Sequence, residues 1–167
     1  STDGIQWTKP EMDLVEHKGA KTNLLVKGRN LCFVIHDTAE KDPAKRYKAL
    51  DNTAHHNFVG MYSADGLNWK MYEKQPLVPY GSEIANGIRD PKTGLFYVYI
   101  RPYLPKPKPA SDNQKRLVSV ITSPDFENWS EPKLIIAPDA KDDAWVEKPI
   151  QRTEFYGMSG FAYGNQY

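Results

Sequence analysis

Two acidic residues are the strongest candidates for chemistry in this sequence. Asp90 directly follows Arg89 at the end of a short apolar stretch, and Glu154 is followed by Phe155 and Tyr156. An arginine–aspartate pair can stabilise positive charge on a sugar ring while the arginine holds hydroxyl groups. A carboxyl group among aromatic rings has the apolar setting that a general acid needs. Together these residues predict hydrolysis of a glycosidic bond, with Asp90 and Glu154 as the catalytic residues.

Each of these residues also fits a purely structural role. Asp90 precedes Pro91, and Asp-Pro commonly begins a turn that the aspartate side chain caps. Glu154 equally fits a solvent-facing position on an edge strand. For both residues the sequence leaves the catalytic and the structural interpretation open.

Several other polar residues lie near the ends of predicted strands. Glu83 and Asn86 precede Asp90 by seven and four residues, which would put them at the mouth of a central channel. His36 and Asp37 end another apolar stretch, and Asn23 begins one. The predicted substrate-binding residues are therefore Arg89, Asn86, Glu83, Asn23, His36 and Asp37.

No metal site or cofactor site is predicted. His55 and His56 are adjacent, so on a strand they would point to opposite faces, and no third ligand is evident. Cys32 is the only cysteine, which excludes an intrachain disulfide, and its apolar neighbours predict a buried, unreactive thiol. Sequence motifs of serine hydrolases, zinc peptidases and nucleotide-binding loops are absent.

A repeated turn motif indicates how the chain positions these residues. Ser-x-Asp followed at a fixed offset by Trp occurs at Ser1–Trp7, Ser63–Trp69 and Ser123–Trp129, with spacings of 62 and 60 residues. Two copies contain Asp-Gly, a strong hairpin signal because such turns need a positive φ angle. The sequence predicts that Asp3, Asp65 and Asp125 cap these turns and that each Trp opens a strand and packs between sheets.

Between the turns the chain shows short stretches rich in β-branched and aromatic residues. The predicted strands are 23–26, 31–35, 46–50 and 58–62 in one unit and 88–90, 95–100, 116–121 and 134–136 in the next. About four strands in ~60 residues is typical of a β-propeller blade. The predicted fold is thus all-β, with blades of four-stranded antiparallel sheets.

The repeat also predicts the division of the single domain. Residues 1–16 end one blade, 17–79 and 80–138 form two whole blades, and 139–167 start another. Propellers close with at least about four blades. We therefore expect the chain to be part of a longer protein, or its open blades to be completed by another copy in a homo-oligomer.

Composition excludes some partners. The net charge is +1, with 22 basic and 21 acidic residues, which argues against a nucleic-acid partner. No apolar stretch approaches the ~20 residues of a membrane span, and no signal peptide is visible. The segment 102–109 alternates Lys and Pro, which fits a substrate-rim loop, a ligand for a proline-recognising module, or a stiff connection between strands.

The turn motif, with the proline and apolar residues that follow it, resembles the blade hairpins of five-bladed propeller glycosidases. Arg89-Asp90-Pro91 resembles the Arg-Asp-Pro motif of the invertase and levanase family, which is related to the arabinanases. The whole chain is similar to bacterial glycosyl-hydrolase-like proteins that are mostly predicted to be exported. The matching stretches are 17–26, 46–50, 90–91 with 97–101, and 154–158 with Phe161 and Tyr163.

This resemblance implies a five-bladed propeller that binds carbohydrate in the extracellular space or the periplasm without a cofactor. Asp90 would stabilise the transition state or tune the acid, and Glu154 would be the general acid. Relatives often carry Asp where Glu83 stands. No residue here matches the first-blade aspartate that serves those enzymes as nucleophile or base. A non-catalytic carbohydrate-binding or structural propeller module is therefore the alternative function.

Overall fold

The chain folds mainly into antiparallel β-structure. A computed structural model describes residues 1–53, 57–81, 83, 85–101, 116–147 and 153–163. These residues contain ten strands, one 3-10 turn and one short α-helix. The His55–His56 pair and the Lys-Pro segment 102–109 lie outside the described residues.

The strands form one small hairpin and two four-stranded antiparallel sheets. The hairpin pairs β1 (Glu16–His17) with β2 (Ala20–Lys21). The first sheet has the order β3 (Leu31–His36), β4 (Tyr47–Asn52), β5 (Phe58–Ser63) and β6 (Lys70–Met71). The second sheet has β7 (Ala85–Arg89), β8 (Phe96–Ile100), β9 (Val118–Ser123) and β10 (Lys133–Ile136). The 3-10 turn is Pro43–Lys45, and the helix α1 is Ala140–Asp143. The prediction of an all-β chain with four-stranded antiparallel sheets is confirmed.

The predicted strand at 23–26 is wrong, and Asn23 lies in an irregular, exposed segment. The Thr22 hydroxyl donates to the Val15 carbonyl at 2.5 Å and accepts from the Leu24 amide at 3.1 Å. These bonds satisfy the backbone locally, and Gly28, with a φ of 65°, then turns the chain toward β3. The first strand of the first sheet is consequently β3, and the short strand after Trp69 becomes its fourth.

The three Ser-x-Asp motifs form equivalent turns, as the sequence predicts. In each turn the aspartate Oδ1 accepts from the amides two and three residues ahead at 2.8 to 2.9 Å. The residue directly after each aspartate has a positive φ angle of about 70°. This residue is Gly4 in the first turn, Gly66 in the second and the buried Phe126 in the third. Trp129 packs edge-on against Phe126 at 5.3 Å, whereas Trp7 is 75% exposed, so the expected packing between sheets fails for Trp7.

Removing the Asp125 carboxylate should destabilise the fold in a pH-dependent way. Partial burial raises the pKa of Asp125, but hydrogen bonds from Asn128 and Glu127 outweigh burial and lower it below 3.8. A lowered pKa in the folded state gives stability that is present at neutral pH and lost as pH falls through that pKa. We expect Asp125→Ala to lower the free energy of unfolding by about 1 kcal/mol at pH 7 and by less at pH 3.

Urea denaturation at both pH values measures this difference. Glu131→Ala is the matched control, because Glu131 is exposed and should give a small effect at either pH. A difference between Asp125→Ala and the parent chain that stays constant from pH 7 to pH 3 would contradict the role of the ionised cap.

The two sheets share one hydrophobic core. Its buried members come from both sheets, from the segment that follows β6 and from the turn between β9 and β10: Ile35, Leu50, Phe58, Tyr72, Leu77, Val78, Ala85, Phe96, Val98, Ile100, Ile121 and Phe126. The first strands of the two sheets, β3 and β7, lie next to each other. Phe33 on β3 packs directly over Gly87 on β7, where an added Cβ would lie 2.4 Å from the Phe33 ring.

Replacing Gly87 by alanine should disturb this contact between the sheets. The added methyl group cannot fit unless Phe33 moves, and overpacking of this kind costs about 1 to 3 kcal/mol of unfolding free energy. Chemical denaturation of Gly87→Ala measures the loss. The double variant Gly87→Ala/Phe33→Leu should be less destabilised than the sum of its single variants, because the smaller side chain makes room. Full additivity would contradict a direct contact.

Cys32 lies on β3, and the α-helix α1 among the described residues has four residues. Cys32 is partly buried, and burial raises the pKa of its thiol to about 11, as expected for an unreactive cysteine. Among the described residues, every helix is too short and too polar to cross a membrane.

Candidate functional site

Asp90 closes the hairpin turn between β7 and β8. The residue is fully buried, its Oδ1 accepts from the Lys92 amide at 2.8 Å, and its Oδ2 accepts from the amide of Thr93 at 3.1 Å and from the Thr93 hydroxyl. Its backbone carbonyl also accepts from the Gly94 amide. Both carboxylate oxygens thus bond within the turn, which favours the turn-capping interpretation of Asp90.

Glu154 lies at the opposite end of the second sheet. Its Oε1 accepts from the Arg116 amide at 3.1 Å, and its Oε2 pairs with the Arg116 guanidinium. Arg116 stands just before β9, at the edge where β7 begins, because Ile100 pairs with both Ala85 and Ser119. The five residues of β7 span roughly 16 Å, whereas the carboxyl pairs of glycosidases lie about 5 to 10 Å apart. The structure therefore does not bring Asp90 and Glu154 together.

Glu83 is connected to Glu154 through the Tyr156 ring and Arg116. Its Oε1 accepts from the Tyr156 hydroxyl at 2.8 Å, and its Oε2 lies 2.5 Å from the Arg101 guanidinium. Two guanidinium groups lie over the Tyr156 ring, that of Arg101 at 4.7 Å and that of Arg116 at 4.8 Å. We call Glu83, Arg101, Arg116, Glu154 and Tyr156 the Tyr156 cluster.

The Tyr156 cluster is accessible from solvent. Tyr156 is 46% exposed, and the side chains of Glu83 and Arg116 are 49% and 42% exposed. Guanidinium groups donate and carboxylates accept in fixed planar geometries, which suits neighbouring sugar hydroxyls. Two carboxylates beside an exposed aromatic ring can also supply the acid and the base of glycoside hydrolysis.

Three residues of this cluster were not predicted as site residues. Arg101 follows β8 directly, Arg116 stands just before β9, and Tyr156 lies two residues after Glu154. Their positions in the sequence could have predicted them, because the end of one antiparallel strand and the start of the next lie at the same edge of a sheet. Charged residues at both positions therefore meet at that edge.

The remaining predicted residues divide between the two ends of the sheets. Asn86 lies on β7 opposite Tyr99, near the Tyr156 cluster, and Asn23 lies in the irregular segment described above. His36 is exposed and stacks on Tyr47 at 4.6 Å. Asp37 and Arg89 lie with Asp90 at the other end.

Asp37 and Arg89 belong to a buried charged network that joins the two sheets. The Arg89 guanidinium pairs with Asp37 Oδ1 and also donates to the Gly94 carbonyl at 3.1 Å. The Lys48 ammonium, 1% exposed, lies 3.2 Å from Asp37 Oδ2 and 2.7 Å from Glu40 Oε2. It donates hydrogen bonds to Glu40 and to the Lys45 carbonyl at 2.7 Å, and Asp37 adds an ion pair. This network makes Arg89 a structural residue that contacts both sheets.

Within the part of the chain that the structure describes, no group of histidine, cysteine and acidic residues could hold a metal ion. The chain matches no family model, no curated protein and no solved structure at a significant level. Functional inference therefore depends on the site itself.

Proposed function

We propose that this chain is a glycoside hydrolase of the β-propeller type whose two carboxylates are Glu83 and Glu154. The observation that carries the proposal is the meeting of both carboxylates at one exposed cluster of a tyrosine and two arginines. In this proposal Glu83 replaces Asp90 as the partner of Glu154. Glu154 has the role of general acid that the family resemblance implies, and Glu83 is the base or nucleophile.

The proposed propeller architecture supports this pairing. Two consecutive four-stranded antiparallel sheets with adjacent first strands, β3 and β7, are what successive blades of a propeller require. Glu83 comes just before the first strand of the second sheet, and Glu154 lies in the segment that follows that sheet. In successive blades these positions would be equivalent and would face the same channel mouth.

Non-catalytic carbohydrate binding is the second candidate function, and a specific observation favours it. Each carboxylate of the Tyr156 cluster is paired with an arginine, Glu83 with Arg101 and Glu154 with Arg116. Paired groups of this kind offer donors and acceptors to hydroxyl groups without a proton transfer. The carboxylate that the resemblance places in a preceding blade also has no counterpart in the described residues.

A panel of neutral polysaccharides and oligosaccharides distinguishes the two functions. The panel should contain fructans, arabinans, xylans and glucans, and both the release of reducing ends and retention on immobilised polysaccharide are measured. Release of reducing ends that depends on Glu83 and Glu154 supports hydrolysis. Retention without products supports binding alone. The absence of both for every saccharide in the panel would contradict both proposals.

A further inference from the structure

A cleft of about 390 Å³ lies at the other end of the sheets from the Tyr156 cluster. Its walls come from the loop between β3 and β4, the end of β7, the start of β8 and the turn between β9 and β10. Tyr72, which follows β6, lies in its lining, so we call it the Tyr72 cleft. Its volume falls within the range of small-molecule sites, about 300 to 1,000 Å³.

The Tyr72 hydroxyl group is an unsatisfied polar group of this cleft. Tyr72 is only 3% exposed, and within the described residues its oxygen has no hydrogen-bond partner. Burial raises the pKa of this phenol, and the nearby charges of Glu127 and Glu40 raise it further. A buried hydroxyl without a partner destabilises the fold, because it has lost its hydrogen bonds to water without replacing them. A ligand that hydrogen-bonds to the hydroxyl would remove this cost.

Three of the five carboxylates in the walls of the Tyr72 cleft are paired with a cation, and Asp42 and Asp125 accept instead from backbone amides of their own turns. Asp37 pairs with Arg89, and Glu40 pairs with Lys48. At the rim, Glu127 lies 3.0 Å from the Lys45 ammonium, which is itself 5.1 Å from the Tyr72 ring. Every carboxylate in these walls thus already accepts from a cation or from amides of its own turn, so a cationic ligand would have to displace one of these donors. The lining holds five carboxylates and only three cations, which disfavours an anionic ligand. A neutral ligand with several donors and acceptors fits these walls without displacing a donor.

The cleft also has an apolar surface. The Tyr72 and Phe96 rings form part of its lining, beside Pro124 and Ala39. The rim pair of Lys45 and Glu127 has side chains 34% and 41% exposed, and exposed ion pairs are weak because water screens both charges. This pair can therefore separate to admit a ligand to Tyr72. Saccharides combine vicinal hydroxyl groups with apolar C–H faces and have no net charge.

We propose that the Tyr72 cleft is a second binding site, for a neutral mono- or disaccharide that hydrogen-bonds to the Tyr72 hydroxyl. This site lies at the opposite end of the sheets from the Tyr156 cluster and does not depend on its function. It would hold a saccharide by binding alone.

Amide chemical shifts of the labelled chain can be followed while probes are added. The neutral probes are glucose, xylose, galactose, arabinose, cellobiose and xylobiose, and the charged probes are glucuronate and glucosamine. We expect saturable shifts at Ala39, Lys41 and Asp125 with at least one neutral probe, and weaker shifts with both charged probes. Shifts at Arg116 and Phe155 report the Tyr156 cluster separately.

Tyr72→Phe is the decisive variant, because it removes only the hydroxyl. It should weaken binding in the Tyr72 cleft roughly three- to tenfold, the loss of one hydrogen bond. Tyr62→Phe is the matched control, since this ring packs edge-on against Tyr72 at 5.0 Å but does not line the cleft. The control should bind like the parent chain.

The stability of Tyr72→Phe tests whether the Tyr72 hydroxyl lacks an internal hydrogen-bond partner. Tyr72→Phe should fold as stably as the parent chain or more stably, because it removes an unsatisfied polar group. A tenfold loss in the folding equilibrium constant would show that the hydroxyl already has an internal partner and would overturn the proposal. Equal affinity of Tyr72→Phe and the parent, preference for a charged probe, or no shifts in the cleft with any probe would also overturn it.

Discussion

Replacing Glu154 or Glu83 by glutamine should each lower kcat/KM for the hydrolysed saccharide by roughly a hundred- to ten-thousandfold, the usual contribution of a positioned acid or base. Glutamine keeps the size of the side chain but can neither ionise nor transfer a proton. If both residues serve one reaction, the double variant should have a kcat/KM only slightly below that of the less active single variant. The effects of substitutions in groups that act as a unit are not additive.

Asp90→Asn is the informative comparison, since Asp90 is the carboxylate that the sequence favoured. Asparagine keeps one acceptor for the Lys92 amide but weakens the bonds from Thr93, so we expect a loss of stability with kcat/KM nearly unchanged. Glu131→Gln serves as the control for an exposed glutamate. A loss of activity in folded Asp90→Asn as large as that of Glu83→Gln would contradict the pairing of Glu83 with Glu154.

Lys48→Met should destabilise the protein by about 3 to 5 kcal/mol, the usual effect of removing one partner from a buried ion pair. Lys48 is 1% exposed, and its ammonium forms ion pairs with Asp37 and Glu40 and donates to the Lys45 carbonyl. Methionine fills a similar volume but leaves the Glu40 carboxylate without its cation. Thermal or urea unfolding, monitored by tryptophan fluorescence, measures the change.

A second substitution tests whether unpaired charge causes this loss. Lys48→Met/Glu40→Gln removes the carboxylate as well and leaves Asp37 paired with Arg89, so it should recover at least about 1 kcal/mol of the loss. Lys70→Met is the matched control on the exposed strand β6 and should change stability by less than about 0.5 kcal/mol. Equal destabilisation by Lys48→Met and Lys70→Met would contradict a buried network.

Local structure was predictable from the sequence because local bonds create it. The turns at Asp3, Asp65 and Asp125 use amides within three residues of the aspartate, so type and spacing suffice to identify them. Strands β3, β5, β8 and β9 follow from their β-branched and aromatic content. The same reasoning failed at 23–26, where the Thr22 hydroxyl and Gly28 break an apolar stretch that looks like a strand.

The site was only partly predictable, because it depends on which strand ends meet. Glu154 and Glu83 were both identified as candidates from their types and neighbours. Their meeting required Tyr156 and two arginines, contributed by segments up to 73 residues apart along the chain. Asp90 shows the opposite error, since a carboxylate in a suggestive motif bonds to its own turn.

By itself the sequence determined the all-β class, the repeated turns and a short set of candidate carboxylates. It could do so because alternation, turn chemistry and residue type act over a few neighbouring positions. Only the tertiary structure decided which carboxylates share a site. The antiparallel register puts Asp90 at one end of β7 and Glu83 at the other, and that separation along one strand determines which of them lies at the same end of the sheet as Glu154.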